Sequence, residues 1–310
     1  MVDLSRFDSL ISLANYFSTD AKCKAVLMES RWDNDVACPV CGSTHVYERK
    51  DGRFSCADCD HTFSVTSGTI FENTKISLRK WFMAMYLISS HKKGISSLQL
   101  SRDIKVTQKT AWFMLQKIRS LYSQSVPELS GDVECDETYI GGKETNKHEW
   151  KKTEGTQGRS TKTKTGVFGM VERSTGSVVA KTIRDSKSAT LINLIKDYVK
   201  EGSRIYTDEY IGYHSLKDSE DYSHFSVNHK MKEFVSGEKN HTNTIEGFWG
   251  QLKRMIMGVY HFVSAKYLQR YVDEAVFRYN TRAQKEGERF QMMFSRSIGV
   301  VSYRKVILVA

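Results

Sequence analysis

Apolar residues recur at helical spacing through much of the first 125 positions, and strand-like runs replace that pattern soon after Pro127. From Ser77, the positions Leu78, Trp81, Phe82, Met85, Tyr86 and Ile88 predict a helix that closes near Gly94, and Thr19 to Ser30 predicts an earlier one. Ile95, Leu98, Leu100 and Ile104 mark a short helix, Lys105 and Val106 a turn, and Thr107 the cap of a second helix from Gln108 to Tyr122. That order predicts a helix-turn-helix. In such a motif the first residues of the second helix enter the major groove, which here offers Gln108, Lys109 and Trp112. An ordinary helical hairpin has the same pattern, so the motif alone leaves both readings open.

Beyond Pro127, Val133 to Ile140 reads as a strand ended by Gly141-Gly142. Gly166 to Arg173 and Val178 to Arg184 form a predicted hairpin turned at Thr175-Gly176. Ser188 to Lys200 is an amphipathic helix and Ser203 to Asp208 the next strand. Three strands, a helix and a fourth strand make the opening order of a ribonuclease-H-like α/β domain. Between the first two strands, Lys143 to Thr165 carries seven Lys or Arg against three Glu, which suits a loop over a phosphate backbone or a plain solvated loop equally.

Four of the six cysteines change the picture at the front of the chain. Cys38-Pro-Val-Cys41 and Cys56-Ala-Asp-Cys59 are two knuckles separated by fourteen residues, and each Cys-x-x-Cys turn brings two thiolates to face one point. Gly42 and the hairpin pattern from Val46 to Phe54 supply the turn and short strands of a zinc ribbon. Disulfides, a redox pair and iron are the competing uses of such cysteines; structural Zn2+ on Cys38, Cys41, Cys56 and Cys59 is the expectation. Cys23 and Cys135 fall in predicted regular structure and read as small buried hydrophobes. The chain is thus predicted to be multidomain, with N-terminal helices at 1–30 and a zinc ribbon at 31–72. A helix-turn-helix region follows at 73–125, then a ribonuclease-H-like catalytic domain at 126–285 and a C-terminal extension at 286–310.

The candidate chemistry lies in three acids. In a ribonuclease-H-like fold an Asp within the first strand and an Asp ending the fourth lie on adjacent parallel strands, and Asp136 and Asp208 occupy those places. The stretch from Asn243 to Arg254 reads as the start of a later helix, with Glu246 as the third carboxylate. Lys253 lies seven residues on, two helical turns away on the same face, where it and Arg254 can meet DNA phosphate. Asp136 interrupts an apolar strand and Glu246 sits among Ile245, Phe248 and Trp249; carboxylates in such company need a cation. Oxygen ligands favour Mg2+ or Mn2+, and a pair of such ions suits phosphodiester cleavage. Asn243 shares the helix face of Glu246 and is also placed to cap the helix, so the third ligand is open between them, with Glu246 preferred as the stronger ligand for a hard cation.

Charge agrees with this chemistry without deciding it: 46 Lys and Arg against 36 Asp and Glu give a net +10, which favours a polyanionic partner. Asp3, Arg6 and Asp8 interrupt the segment where a secretory signal would be apolar, and the longest apolar run, Trp81 to Ile88, is far shorter than a membrane span. A cytoplasmic, nucleoid-associated protein with no membrane partner is expected.

Several stretches together resemble the ISXO-like branch of bacterial insertion-sequence transposases. They are Cys38 to Gly42, Phe63 to Phe71, Leu78 to Trp81, Asp136 to Gly142, Thr207-Asp208 and His241 to Glu246, and they span nearly the whole chain. The resemblance implies a DDE enzyme that hydrolyses double-stranded DNA at the terminal inverted repeats of an element, freeing 3′-hydroxyls that attack target DNA. It also implies a homo-oligomer on the DNA ends. The third acidic position varies in that family, and His241, Asn243 and Glu246 all lie near it. Two rivals share these features: a non-catalytic regulator that binds DNA through the ribbon and helix-turn-helix, and a different ribonuclease-H-like nuclease or integrase.

Overall fold

A computed structural model describes residues 2–33, 35–124, 126–142, 147–155, 160, 162–227 and 241–298. The expected basic loop at 143–165 therefore lies partly outside the described residues, as does the end of the expected C-terminal extension, 299–310. The chain forms two compact units, one of residues 1–124 together with the segment from Ala283 onward, the other of Ser125–Arg282. Among the described residues no helix is long and apolar enough to cross a membrane.

The first unit opens with α1 (Leu10–Tyr16), started by a Ser9–Ser12 capping box, and α2 (Asp20–Trp32), capped by the Thr19 hydroxyl. A three-stranded antiparallel ribbon follows: β1 (Val46–Glu48), β2 (Phe54–Cys56) and β3 (Thr62–Phe63). Strands this short cannot bury much, and the ribbon's core is small: Phe54 and Phe63 stack with ring centroids 5.6 Å apart beneath Trp32 and beside Cys38 and Cys56. α3 (Leu78–Ser90) is started by Ser77, whose hydroxyl accepts from the Lys80 N–H, and is buried almost all round. α4 (Ser97–Asp103) and α5 (Gln108–Arg119) are the two helices of the predicted helix-turn-helix, capped by Ser96 and Thr107. The tight turn between them places Lys105 at φ 51°, in the left-handed region. α5 ends at Arg119, short of the expected Tyr122, and a 3-10 turn covers Tyr122–Gln124.

α9 (Glu286–Ser297) falls in the segment read from sequence as an extension, yet it belongs to the core of this first unit. Its apolar stripe, Phe290, Met293 and Phe294, packs on α3: Phe294 meets Phe82 edge-on at 5.1 Å between centroids, and Phe290 meets Tyr86 at 5.9 Å. Gly287 lets the N-terminal segment pass close, because a Cβ there would lie 2.0 Å from the Ser5 carbonyl oxygen.

The second unit is built on a five-stranded sheet of β4 (Asp132–Gly141), β5 (Lys164–Glu172), β6 (Val178–Ile183), β7 (Arg204–Asp208) and β8 (Ser223–Val227). Their order across the sheet is β6-β5-β4-β7-β8; the first three run antiparallel, and β7 and β8 lie parallel to β4. This is the ribonuclease-H-like arrangement expected from the order of elements. α6 (Ser188–Tyr198) carries the chain from β6 across to β7 and packs Leu191 and Ile195 against Cys135, Met170 and Ile205 on one face. α7 (Asn243–Met255) and α8 (Leu268–Asn280) cover the other, where Ile245, Phe248, Trp249 and Val272 meet Val167, Val171 and Ala180. Alternation along β4 therefore divides its residues: Val133 and Cys135 enter the α6 core, and Glu134 and Asp136 face α7.

Truncating Phe294 to Ala leaves a cavity beside Phe82 and should destabilise the first unit by about 3–5 kcal/mol. Hydrogen exchange in the full chain should show the α3 amides losing protection, whereas unchanged protection would mean that α9 is not part of that core.

Candidate active site and zinc site

The strand order brings two of the predicted acids near each other. β4 and β7 pair in parallel as far as Glu134↔Tyr206, and Asp136 and Asp208 each lie two residues further along their strands, close enough for the charge of Asp208 to act on the Asp136 carboxyl. The Asp208 carboxylate closes the strand by accepting the Tyr210 N–H at 3.0 Å. Glu246 enters from α7 in the first helical turn. Lys253 and Arg254 lie exposed in the last turn of the same helix.

Asp136 feels the charge of both other acids. Burial drives its carboxyl up to about 6, opposed by the Glu137 N–H; the negative charge of Asp208 raises it further, the indole of Trp249 lowers it, and Glu246 raises it again. Trp249 Nε1 donates to Asp136 Oδ2 at 3.0 Å. The indole reaches that far because Gly169, the residue paired with Asp136 across β4 and β5, leaves room: a Cβ there would stand 2.5 Å from Trp249 Cη2. Glu137, the next acid along, turns to the opposite face, where the Tyr213 hydroxyl donates to its Oε1.

Glu134 is fully buried and ties α7 to the sheet. Its Oε2 accepts the backbone N–H of Thr244 at 2.9 Å and of Ile245 at 3.1 Å, and its Oε1 accepts the Thr244 hydroxyl at 3.0 Å. Arg173 Nε donates to Oε1 at 2.8 Å, and His241 Nδ1 lies 3.1 Å from the same oxygen. Arg173 also donates through Nη2 to the His241 carbonyl and lies over the Tyr206 ring, 3.8 Å from its centroid.

These contacts correct one expectation. Asn243 does not cap α7: it is the first helical residue, and Thr242, at the cap position, makes no side-chain cap bond. The orphan amides of the first turn are taken by Glu134 from a strand 110 residues earlier in sequence, which removes the need for a local cap. Asn243 is exposed, as is Glu246, and His241 is held against Glu134. In the first unit, Gln108 and Lys109 are exposed on the opening turn of α5, with Trp112 half-buried beyond them, and Gln108 Nε2 donates to Ser97 Oγ at 2.7 Å. Sequence reasoning overlooked Glu134, Arg173, Trp249 and Gly169. Alternation from Asp136 was the one local signal for Glu134, since it puts both acids on one strand face.

Among the described residues the four ribbon cysteines are the group of three or more metal-ligand side chains whose ligand atoms all lie within 4.8 Å of one another. The Cys38–Cys59 sulfurs stand 3.6 Å apart and the Cys41–Cys56 sulfurs 3.5 Å, close to the ~3.8 Å edge of a tetrahedron with Zn–S bonds of ~2.3 Å. Burial would raise the Cys38 thiol, but the N–H groups of Cys41 and Val40 and the neighbouring Cys59 and Cys41 thiols together hold it at about 7, whereas the neighbouring thiols push Cys41 upward and Cys59 up to about 12, so in this cluster the first thiolate forms at Cys38. The donor set fits structural zinc.

Residues 128–280 match the family described as ISXO2-like transposase domain, and residues 18–62 match a transposase zinc-ribbon domain. A protein in transposable element ISH50 of Halobacterium salinarum is 30% identical over 254 residues, covering 77% of this chain and 84% of that protein. A transposase-like protein of Haemophilus influenzae is 31% identical over 103 residues, covering 33% of this chain and 80% of its own. Among solved structures, the HTLV-2 integrase catalytic core domain in complex with magnesium aligns at a TM-score of 0.28 and 13% identity, covering 49% of this chain and 86% of that one.

Two outcomes follow from the site's electrostatics and its thiols. Because the folded chain raises the Asp136 carboxyl to about 6, the stability associated with its proton is fully present below its unfolded value near 3.8 and is lost as pH rises through 6. Without divalent metal at pH 7.5, Asp136→Asn should therefore be more stable than the native chain by on the order of 2 kcal/mol, a gap that closes toward pH 4. Denaturant unfolding across that range checks it, and a gap independent of pH would sink it. Protein purified without chelator should hold one zinc on the four cysteines, and Cys38→Ser should lose it and open the ribbon, as read by metal analysis and proteolysis.

Proposed function

We propose, from the premise that this chain belongs to the ISXO2-like transposase family, that Asp136, Asp208 and Glu246 are the metal-binding acids of its active site. The protein is a DDE transposase with an N-terminal zinc ribbon, and it acts on DNA. The observation that carries the residue assignment is the state of Asp136: an acid held between two others by strand register and a helix start, with burial and both neighbouring charges opposing its ionisation. A divalent cation would relieve that opposition, and the all-oxygen donor set fits Mg2+ or Mn2+. Two such ions bound there would activate the attacking oxygen and stabilise the leaving one.

The chain's own residues do the rest. Trp249 orients the Asp136 carboxylate through Nε1, leaving Oδ1 for the metal side. Lys253 and Arg254, on the exposed side of α7, contact the phosphates flanking the scissile bond. Asn243, exposed one turn before Glu246, adjusts substrate or metal from beside it. The ribbon and the α4–α5 motif recognise the element's terminal repeats, with Gln108, Lys109 and Trp112 meeting base edges. Pairing of two ends calls for a homo-oligomer on DNA, and the reaction takes place in the cytoplasm at the nucleoid.

Asp136→Asn and Asp208→Asn should each abolish cleavage of element-end DNA while leaving DNA affinity nearly unchanged. Glu246→Gln should be equally dead and Asn243→Ala only impaired. Cleavage assays at matched folding and binding decide this. The reverse order for the last pair would transfer the ligand role to Asn243, and near-native cleavage by either Asp variant would relocate the site.

A further inference from the structure

Each of the three acids lies two residues after a member of one buried network: Glu134 precedes Asp136, Tyr206 precedes Asp208, and Thr244 precedes Glu246. The members touch one another. Glu134 accepts from Thr244 and Arg173, and Arg173 lies over the face of Tyr206, which is also the β7 partner of Glu134 in the strand register. The geometry points to Glu134 as the positioning residue of the active site, setting the separation of the three metal-binding acids from beneath rather than binding metal itself.

The acid-rich run Glu134-Cys135-Asp136-Glu137 raises the alternative that Glu134 is a ligand. Its bonding excludes this. An ionised carboxylate has about four acceptor sites, and Glu134 already accepts four hydrogen bonds, from the N–H and hydroxyl of Thr244, the N–H of Ile245 and Nε of Arg173. With no exposure to solvent, it has neither a free lone pair nor a path to an ion. Its charge instead balances the Arg173 guanidinium, and its two oxygens replace the cap that Thr242 fails to provide. A two-residue step along β4 from Glu134 to Asp136 and a two-residue step along α7 from Thr244 to Glu246 then leave little freedom in how far those carboxylates stand apart. The Arg173–Tyr206 contact extends the same constraint to β7 and Asp208.

Metal affinity should therefore depend on Glu134 although Glu134 touches no metal. This rests on the assignment of Asp136, Asp208 and Glu246 as the metal-binding acids. Full-length protein is titrated with Mn2+ by calorimetry, without turnover, and cleavage is measured in parallel over a range of Mn2+ concentrations. Glu134→Gln should weaken Mn2+ binding by about 10–100-fold and raise the concentration needed for half-maximal cleavage to match, with most of the maximal rate recovered at saturation. Thr244→Val, which removes only the hydroxyl contact and keeps the N–H, should shift both in the same direction by less. A folded Glu134→Gln with native Mn2+ affinity would overturn the proposal, and so would one that no Mn2+ concentration rescues, since that is how a lost ligand behaves. Should Glu134→Gln fail to fold, Thr244→Val decides, and a native Mn2+ affinity in that variant is equally fatal. Asp136→Asn separates the two levels: if it still cleaves, the underlying site assignment has failed, whereas a dead Asp136→Asn beside unaltered anchor variants rejects the anchor alone.

Discussion

The carboxylate of Glu134 joins elements that the chain keeps more than a hundred residues apart. By accepting two backbone amides and a hydroxyl from the start of α7, it attaches that helix to the central strand of the sheet. A helix start is a cluster of unsatisfied donors, and a buried carboxylate is an anion without water; each removes the other's penalty. Arg173 completes the balance, because one negative charge at zero exposure beside a lone helix terminus would still lack a counter-ion. Placement of Glu246 over the sheet is a consequence of this contact.

Above that anchor the fold accepts an unfavourable arrangement. Asp136 is mostly buried and surrounded by like charge, and nearby protein donors only partly relieve it. Trp249 is one such donor, admitted by the missing side chain of Gly169. A packed domain ordinarily excludes an acid from such a place, and a carboxylate opposed by both burial and like charge is one that a bound cation would stabilise. Glu134 and Asp136 make the contrast plain. Two acids on one strand face, two residues apart, differ in that the first is saturated by protein donors and the second is left with spare acceptor capacity.

The first unit uses a different economy of stabilisation. The ribbon's strands are two or three residues long and its apolar core is a handful of side chains, so a zinc ion held by the four cysteine sulfurs would supply the cross-link that packing cannot. The helical part instead relies on aromatic packing around α3, where Phe82 is met by Phe17, Phe71 and Phe294.

Local features were legible from the residues alone. The cysteine knuckles, the helix starts near Thr19 and Ser77, the cap at Thr107, the two helices around Lys105 and the order of strands all follow from spacings of a few residues, and each corresponds to an element of the structure. That the strands carrying Asp136 and Asp208 are neighbours was also within reach, because a known strand order fixes neighbours. Tertiary structure alone decided the rest. Asn243 looked like a cap because capping is normally local, but the donors of α7 are answered by Glu134 across 110 residues of chain. Trp249 and Asp136 meet across 113, through a gap at Gly169 that no periodicity records. α9 read as an appendage because its apolar stripe names no partner until α3 is folded beneath it. Periodicity specifies which face of an element is buried, whereas the identity of what covers that face is set by contacts between segments distant in sequence.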